Sequence, residues 1–237
     1  MVNKYIQLLV ILICLLIFSA TGQDFKKDLE KINKLLIENN IQIQMKYNAY
    51  KNYTSKTPVE SVSCTLKKSD KGQYYKMGDQ EFIYTKDYSF QADHSEKVLY
   101  LFGQGIPVEN NLNEYMKAID QNISNYKQIK FKEENGRGIY DLYCQDMDYE
   151  RIRITFDMKT YNIKSVVLYY KEAMNLEYNE LDKPEKPRLE IVFDEIKTNV
   201  KFSSSQFNYS SFLQKKNNSY VPKEEYKTYE FINKQSE

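Results

Sequence analysis

Apolar positions change period soon after the start of the chain. Across residues 25–39, Leu29, Ile32, Leu35 and Leu36 recur at helical spacing among Lys and Glu, which predicts an amphipathic helix ending at Asn39-Asn40. From Ile41 the period falls to two. Ile41, Ile43, Met45 and Tyr47 alternate with Gln42, Gln44, Lys46 and Asn48, the pattern of a strand with one wet face. A second apolar run covers residues 59–67. Short segments follow at 72–77, 81–85, 88–92 and 97–102, separated by turn signals such as Gly78-Asp79 and Lys86-Asp87, and their spacing of about ten residues predicts an antiparallel meander.

Pro107 and Asn110-Asn111 then open a second predicted helix, with Leu112, Tyr115, Met116, Ile119 and Ile123 as its apolar stripe. The meander resumes at 129–132, 138–145, 151–156 and 163–171. In the third of these runs Ile152, Ile154 and Phe156 oppose Arg151, Arg153 and Thr155. In the fourth, Val166 to Tyr170 leave no polar face, as in a strand covered on both sides. Residues 175–187 are polar, hold two prolines and read as a loop. A long strand is expected over 188–202, and from Ser203 a polar tail with only a short final strand. No βαβ alternation occurs, so the expected fold is α+β: one antiparallel sheet of about ten strands, large enough to curl, with two helices on its concave face.

The first 22 residues change the picture by giving an address. Lys4 precedes an apolar run over 6–18, and Ala20 and Gly22 set small residues before a cut at Gln23, which is the pattern of a secretory leader. The run is shorter than the roughly 20 residues that span a bilayer. The expected organisation is a leader at 1–22, one domain at 23–210 and a polar tail at 211–237. The whole chain carries 34 Lys+Arg and 33 Asp+Glu, and losing the leader with Lys4 leaves 33 of each. A net charge near zero argues against nucleic acid or an anionic membrane surface as main partner. The 22 Tyr and 12 Phe suit pleated, half-buried surfaces.

Candidate chemistry is sparse. Outside the leader, Cys64 and Cys144 form an even pair, each on an apolar strand face. They form either a bridge or two separately buried thiols; a bridge would close a loop of about 80 residues, worth on the order of 4 kcal/mol. His94, the single histidine, falls in a turn where solvation is expected, and one histidine cannot build a zinc site without suitably spaced cysteines. Asp146, Asp148 and Glu150 alternate at a hairpin tip; oxygen ligation of calcium is conceivable there, but a charged tip explains them as well. No nucleophile elbow, phosphate loop or helical metal motif is present, so neither an enzyme activity nor a cofactor is expected. Asn52, Asn122, Asn208 and Asn217 begin glycosylation sequons.

Three stretches resemble the LolA-like family of periplasmic lipoprotein carriers. The first is the exported amphipathic helix running directly into a strand, residues 29–47. The second is the middle of the meander, from Tyr75 through Gly78-Asp79 to Tyr88. The third is Pro187-Arg188-Leu189-Glu190-Ile191-Val192-Phe193-Asp194-Glu195-Ile196-Lys197-Thr198-Asn199, followed by Phe202 and Ser205-Gln206-Phe207. The resemblance implies an unclosed, strongly curved half-barrel with helices as a lid and an interior that shields acyl chains from water. The chain departs from that pattern in having no Trp, and no residue here matches the family's cavity arginine.

A non-enzymatic periplasmic carrier or sensor is therefore expected, binding lipid or an acylated protein. A protein-interaction module with an envelope partner is the alternative. The expected groove is lined by Ile43, Met45, Tyr47, Ile152, Ile154, Phe156, Leu189, Ile191 and Phe193. Leu112, Met116 and Ile119 are expected to reach it from the lid.

Overall fold

The computed structural model describes residues 24–37, 40–103, 125–145, 147–176, 183–217 and 219–235. The leader, the second predicted helix with Leu112, Met116 and Ile119, and Asp146 lie outside the described residues.

The first helix, α1 (Phe25–Ile37), forms where expected. Asp24 caps it, its Oδ1 accepting from the Lys27 backbone N–H at 3.2 Å. Phe25, Leu29, Ile32 and Leu36 make one buried stripe. Asn40 follows with φ 63°, a left-handed conformation that asparagine tolerates and that turns the chain into the sheet.

Eleven strands follow in the meander: β1 (Ile41–Tyr50), β2 (Glu60–Ser69), β3 (Gly72–Met77), β4 (Gln80–Tyr84), β5 (Ser89–Asp93), β6 (Val98–Phe102), β7 (Tyr126–Glu134), β8 (Arg137–Cys144), β9 (Tyr149–Asp157), β10 (Ile163–Tyr170) and β11 (Arg188–Lys197). The 3-10 turns at Ser204–Phe207 and Tyr209–Ser211 lead to β12 (Leu213–Lys216), β13 (Ser219–Pro222) and, after a further turn, β14 (Glu230–Lys234). One curved, unclosed sheet of 12 strands has the order β14-β6-β5-β4-β3-β2-β1-β11-β10-β9-β8-β7, and β12 and β13 form a separate hairpin. Neighbours in the large sheet are antiparallel, apart from β14, which adds parallel to β6. The molecule is thus mostly β, with one helix among the described residues and more strands than the ten expected.

Two expectations about the C-terminal third change. The strand foreseen over 188–202 stops at Lys197, because Asn199 takes φ 56° and the Val200 N–H turns away to the Asn40 carbonyl at 2.8 Å. The stretch from Ser203, expected as a polar tail, packs on the sheet. Phe212 and Leu213 are buried with Ile83, Phe90, Ala92, Leu99 and Leu101, and Tyr209, Tyr220, Tyr226, Tyr229 and Phe231 surround them. Tyrosines bury their rings while keeping their hydroxyls bonded, so a segment of polar average composition still carries a core.

The two covers lie on opposite faces. The α1 stripe packs against Ile41, Ile43 and Met45 of β1, Cys64 and Leu66 of β2, Tyr140 and Leu142 of β8, Ile152, Ile154 and Phe156 of β9, and Phe193 of β11. The C-terminal segment covers the other face at β3 to β6. A tight hairpin joins β7 to β8 through Asn135 (φ 52°) and Gly136 (φ 72°), a pair suited to a type I′ turn. Two residues on, Gly138 lies opposite Phe156, and a Cβ there would fall 2.3 Å from the Phe156 ring.

Cys64 and Cys144 are free thiols, both buried. β2 and β8 are five strand positions apart in the sheet order, about 24 Å along the sheet, whereas a disulfide needs Cα atoms within about 7 Å. Of the two alternatives for this pair, the structure shows separate buried thiols.

Candidate functional site

The helix-covered face changes character along β1. Ile41, Ile43 and Met45 are at most 3% exposed beneath α1, but the next residues on that face, Tyr47 and Ala49, are half-buried. Their cross-strand partners follow suit. Met45 pairs with Phe193 and Cys64, both buried, whereas Tyr47 pairs with Ile191 and Val62, and Ala49 with Leu189 and Glu60. Met77, opposite Cys64 on β3, is 46% exposed. Tyr47, Ala49, Glu60, Val62, Met77 and Leu189 enclose a partly open hollow of about 340 Å³. That volume lies at the low end of the roughly 300–1,000 Å³ typical of small-molecule sites.

The outer face of the same strand ends is clamped. Tyr143, Arg151, Tyr169, Arg188 and Tyr50 stand side by side on β8, β9, β10, β11 and β1. The Arg151 guanidinium lies 3.9 Å from the Tyr169 ring centre and that of Arg188 3.8 Å from the Tyr50 ring centre. Arg188 also donates to the carbonyls of Asn52, Tyr53 and Ser55, at 3.0, 2.8 and 2.9 Å. The Tyr53 ring meets Tyr169 edge-on, and its hydroxyl donates to the Tyr170 carbonyl. Residues alternate faces along a strand, so fixing Tyr50 and Arg188 outside fixes Ala49 and Leu189 at the hollow.

The nine described residues expected to line a groove all lie on this one face, but they divide. Ile43, Met45, Ile152, Ile154, Phe156 and Phe193 are packed core beneath α1. Tyr47 and Leu189 line the hollow, and Ile191 is half-buried beside them. Ala49, Glu60, Val62 and Met77 were not foreseen. Ala49 continues the β1 alternation by one step, and Val62 shares the face of Cys64 and Leu66, so both carried a signal.

The buried Cys64 thiol and Tyr140 phenol of this face stay protonated. Burial pushes the Cys64 thiol up to about 11, which keeps it protonated and unreactive at neutral pH. Burial and the adjoining Asp28 carboxylate push the Tyr140 phenol up as well; the phenol donates to Asp28 Oδ2 at 2.8 Å. His94 is half-buried instead of solvated. Its Nε2 lies 3.1 Å from Glu81 Oε1 and its Nδ1 3.0 Å from the Tyr229 hydroxyl, beside the rings of Phe212 and Tyr226. Glu150 pairs with Lys186 at 2.9 Å, and no group of three or more His, Cys, Asp or Glu able to hold a metal occurs among the described residues. The arrangement suits holding an apolar group by exclusion of water.

No protein-family model and no curated protein matches the sequence. Several solved structures are similar. An uncharacterised conserved protein from Thermus thermophilus aligns at 8% identity and TM-score 0.47, over 89% of this chain and 99% of that one. A LolA superfamily protein from Nitrosomonas europaea aligns at 10% identity and TM-score 0.32, over 78% and 98%. The Pseudomonas aeruginosa MucA/MucB complex aligns at 10% identity and TM-score 0.45, over 77% of this chain and 59% of that one. All three TM-scores are below 0.5, so these likenesses assign neither fold nor function here.

Proposed function

We propose that this chain is an exported, non-enzymatic binding protein that holds the apolar part of a lipid or of a lipid-modified protein. The observation that carries the reading is the change along one sheet face from packed core to an open, mostly apolar hollow of about 340 Å³. Each methylene moved from water to such a wall contributes about 0.8 kcal/mol, so a chain of several methylenes binds without catalytic residues. The leader pattern and the LolA-like stretches of the sequence support a periplasmic location.

Titration of the delipidated protein with an uncharged, environment-sensitive fluorescent probe tests this. Saturable binding is expected. Met77→Asp is expected to weaken it by about tenfold or more, because a carboxylate in the wall must lose water when the guest enters. Met77 is 46% exposed, so the substitution leaves the core untouched. Absence of saturable binding to the unaltered protein, with no lipid recovered from freshly purified material by mass spectrometry, would overturn the proposal.

A further inference from the structure

We infer that the guest carries a single slender apolar chain and a cationic head, an ammonium group seated against the Glu60 carboxylate and the Tyr47 ring. This deepens the reading above and rests on it. Among the described residues lining the hollow, Glu60 is the one charged side chain. It is exposed at the start of β2, and its carboxylate has no hydrogen bond or ion pair among the described residues. Glu60 pairs with Ala49 and Val62 pairs with Tyr47, so Glu60 and Tyr47 are diagonal neighbours on one face. Such diagonals lie about 7–8 Å apart, close enough for one small cation to meet both.

A carboxylate beside an aromatic ring selects for positive charge twice over: by Coulomb attraction, and by the negative face of the ring. A fatty-acid head at the same mouth would instead bring two carboxylates together. The volume of about 340 Å³ matches one short chain. The inferred ligand class is therefore an alkylammonium amphiphile.

Calorimetric titration of the purified protein with decyltrimethylammonium, decyl glucoside and decanoate, each below its micelle concentration, separates the terms. The three share a chain and differ in head-group charge. At low salt the ammonium is expected to bind roughly tenfold tighter than the carboxylate, with the glucoside between them. Added salt should narrow the gap. Glu60→Gln should remove the Coulomb part of the preference and leave the ammonium ahead by about two- to fivefold, the share of the Tyr47 ring, with the glucoside and the carboxylate no longer separated by the Glu60 charge. Equal affinities in the unaltered protein, or a preference for decanoate, would overturn the cationic head and leave the apolar hollow standing. Failure of all three ligands to bind would overturn the hollow as a site altogether.

Discussion

Asp28 is a carboxylate only 2% exposed, held in the first turn of α1 where the helix N-terminus favours negative charge. The Tyr140 hydroxyl reaches it from β8 at 2.8 Å, and the Tyr140 ring stacks at 4.9 Å edge-on against Phe25. One phenol thus ties the helix to the sheet by both its polar and its apolar parts. Tyr140→Phe keeps the ring and removes the donor. It is expected to cost about 1–3 kcal/mol, the penalty for a buried polar group that loses a partner, read as a lower urea midpoint with an unchanged slope. A neutral result would show that Asp28 draws its support elsewhere.

Among the elements, the turn between β5 and β6 joins the C-terminal segment to the sheet through His94, Glu81 and Tyr229. Burial acts to raise the Glu81 pKa, but hydrogen bonds from Lys76 and Tyr74, the Lys76 charge and His94 outweigh it, and the net shift is downward. A carboxylate with a lowered folded pKa stabilises fully above its unfolded value and loses that contribution as pH falls through the folded one. Stability should therefore fall on acidification below the ordinary glutamate value of about 4.3, and Glu81→Gln should flatten that limb in urea titrations run across the range. Ending the chain after Tyr229 deletes β14 with Phe231 and Ile232. That should cost roughly 2–4 kcal/mol, the worth of two partly buried apolar side chains, measured by chemical denaturation. Much at this scale was legible beforehand. The stripe of α1, the alternation from Ile41 to Tyr47 and the closely spaced turns of the meander each follow from one local period. The parallel addition of β14 was not, because nothing local to Glu230–Lys234 encodes pairing with Val98–Phe102, more than a hundred residues earlier. The site was half legible for a related reason. Alternation along β1 and β11 marks which face is apolar, but it reads the same whether α1 lies on that face, as at Ile43 and Phe193, or stops short of it, as at Ala49 and Leu189.

In the whole molecule, a single sheet of 12 strands carries two cores on opposite faces, displaced along its width. Among the described residues, each cover protects only part of the sheet's width, one on each face. The hollow lies on the face of α1, beyond the reach of its packed stripe. The rim there is held from behind by the row of alternating tyrosines and arginines from Tyr143 to Tyr50, with the backbone of residues 52–55 drawn onto Arg188. Strand ends pinned in this way hold the Ala49 and Leu189 side of the rim in place. Under the reading proposed above, that side of the aperture would act as a gauge of fixed bore, sorting guests by girth before affinity is ever tested.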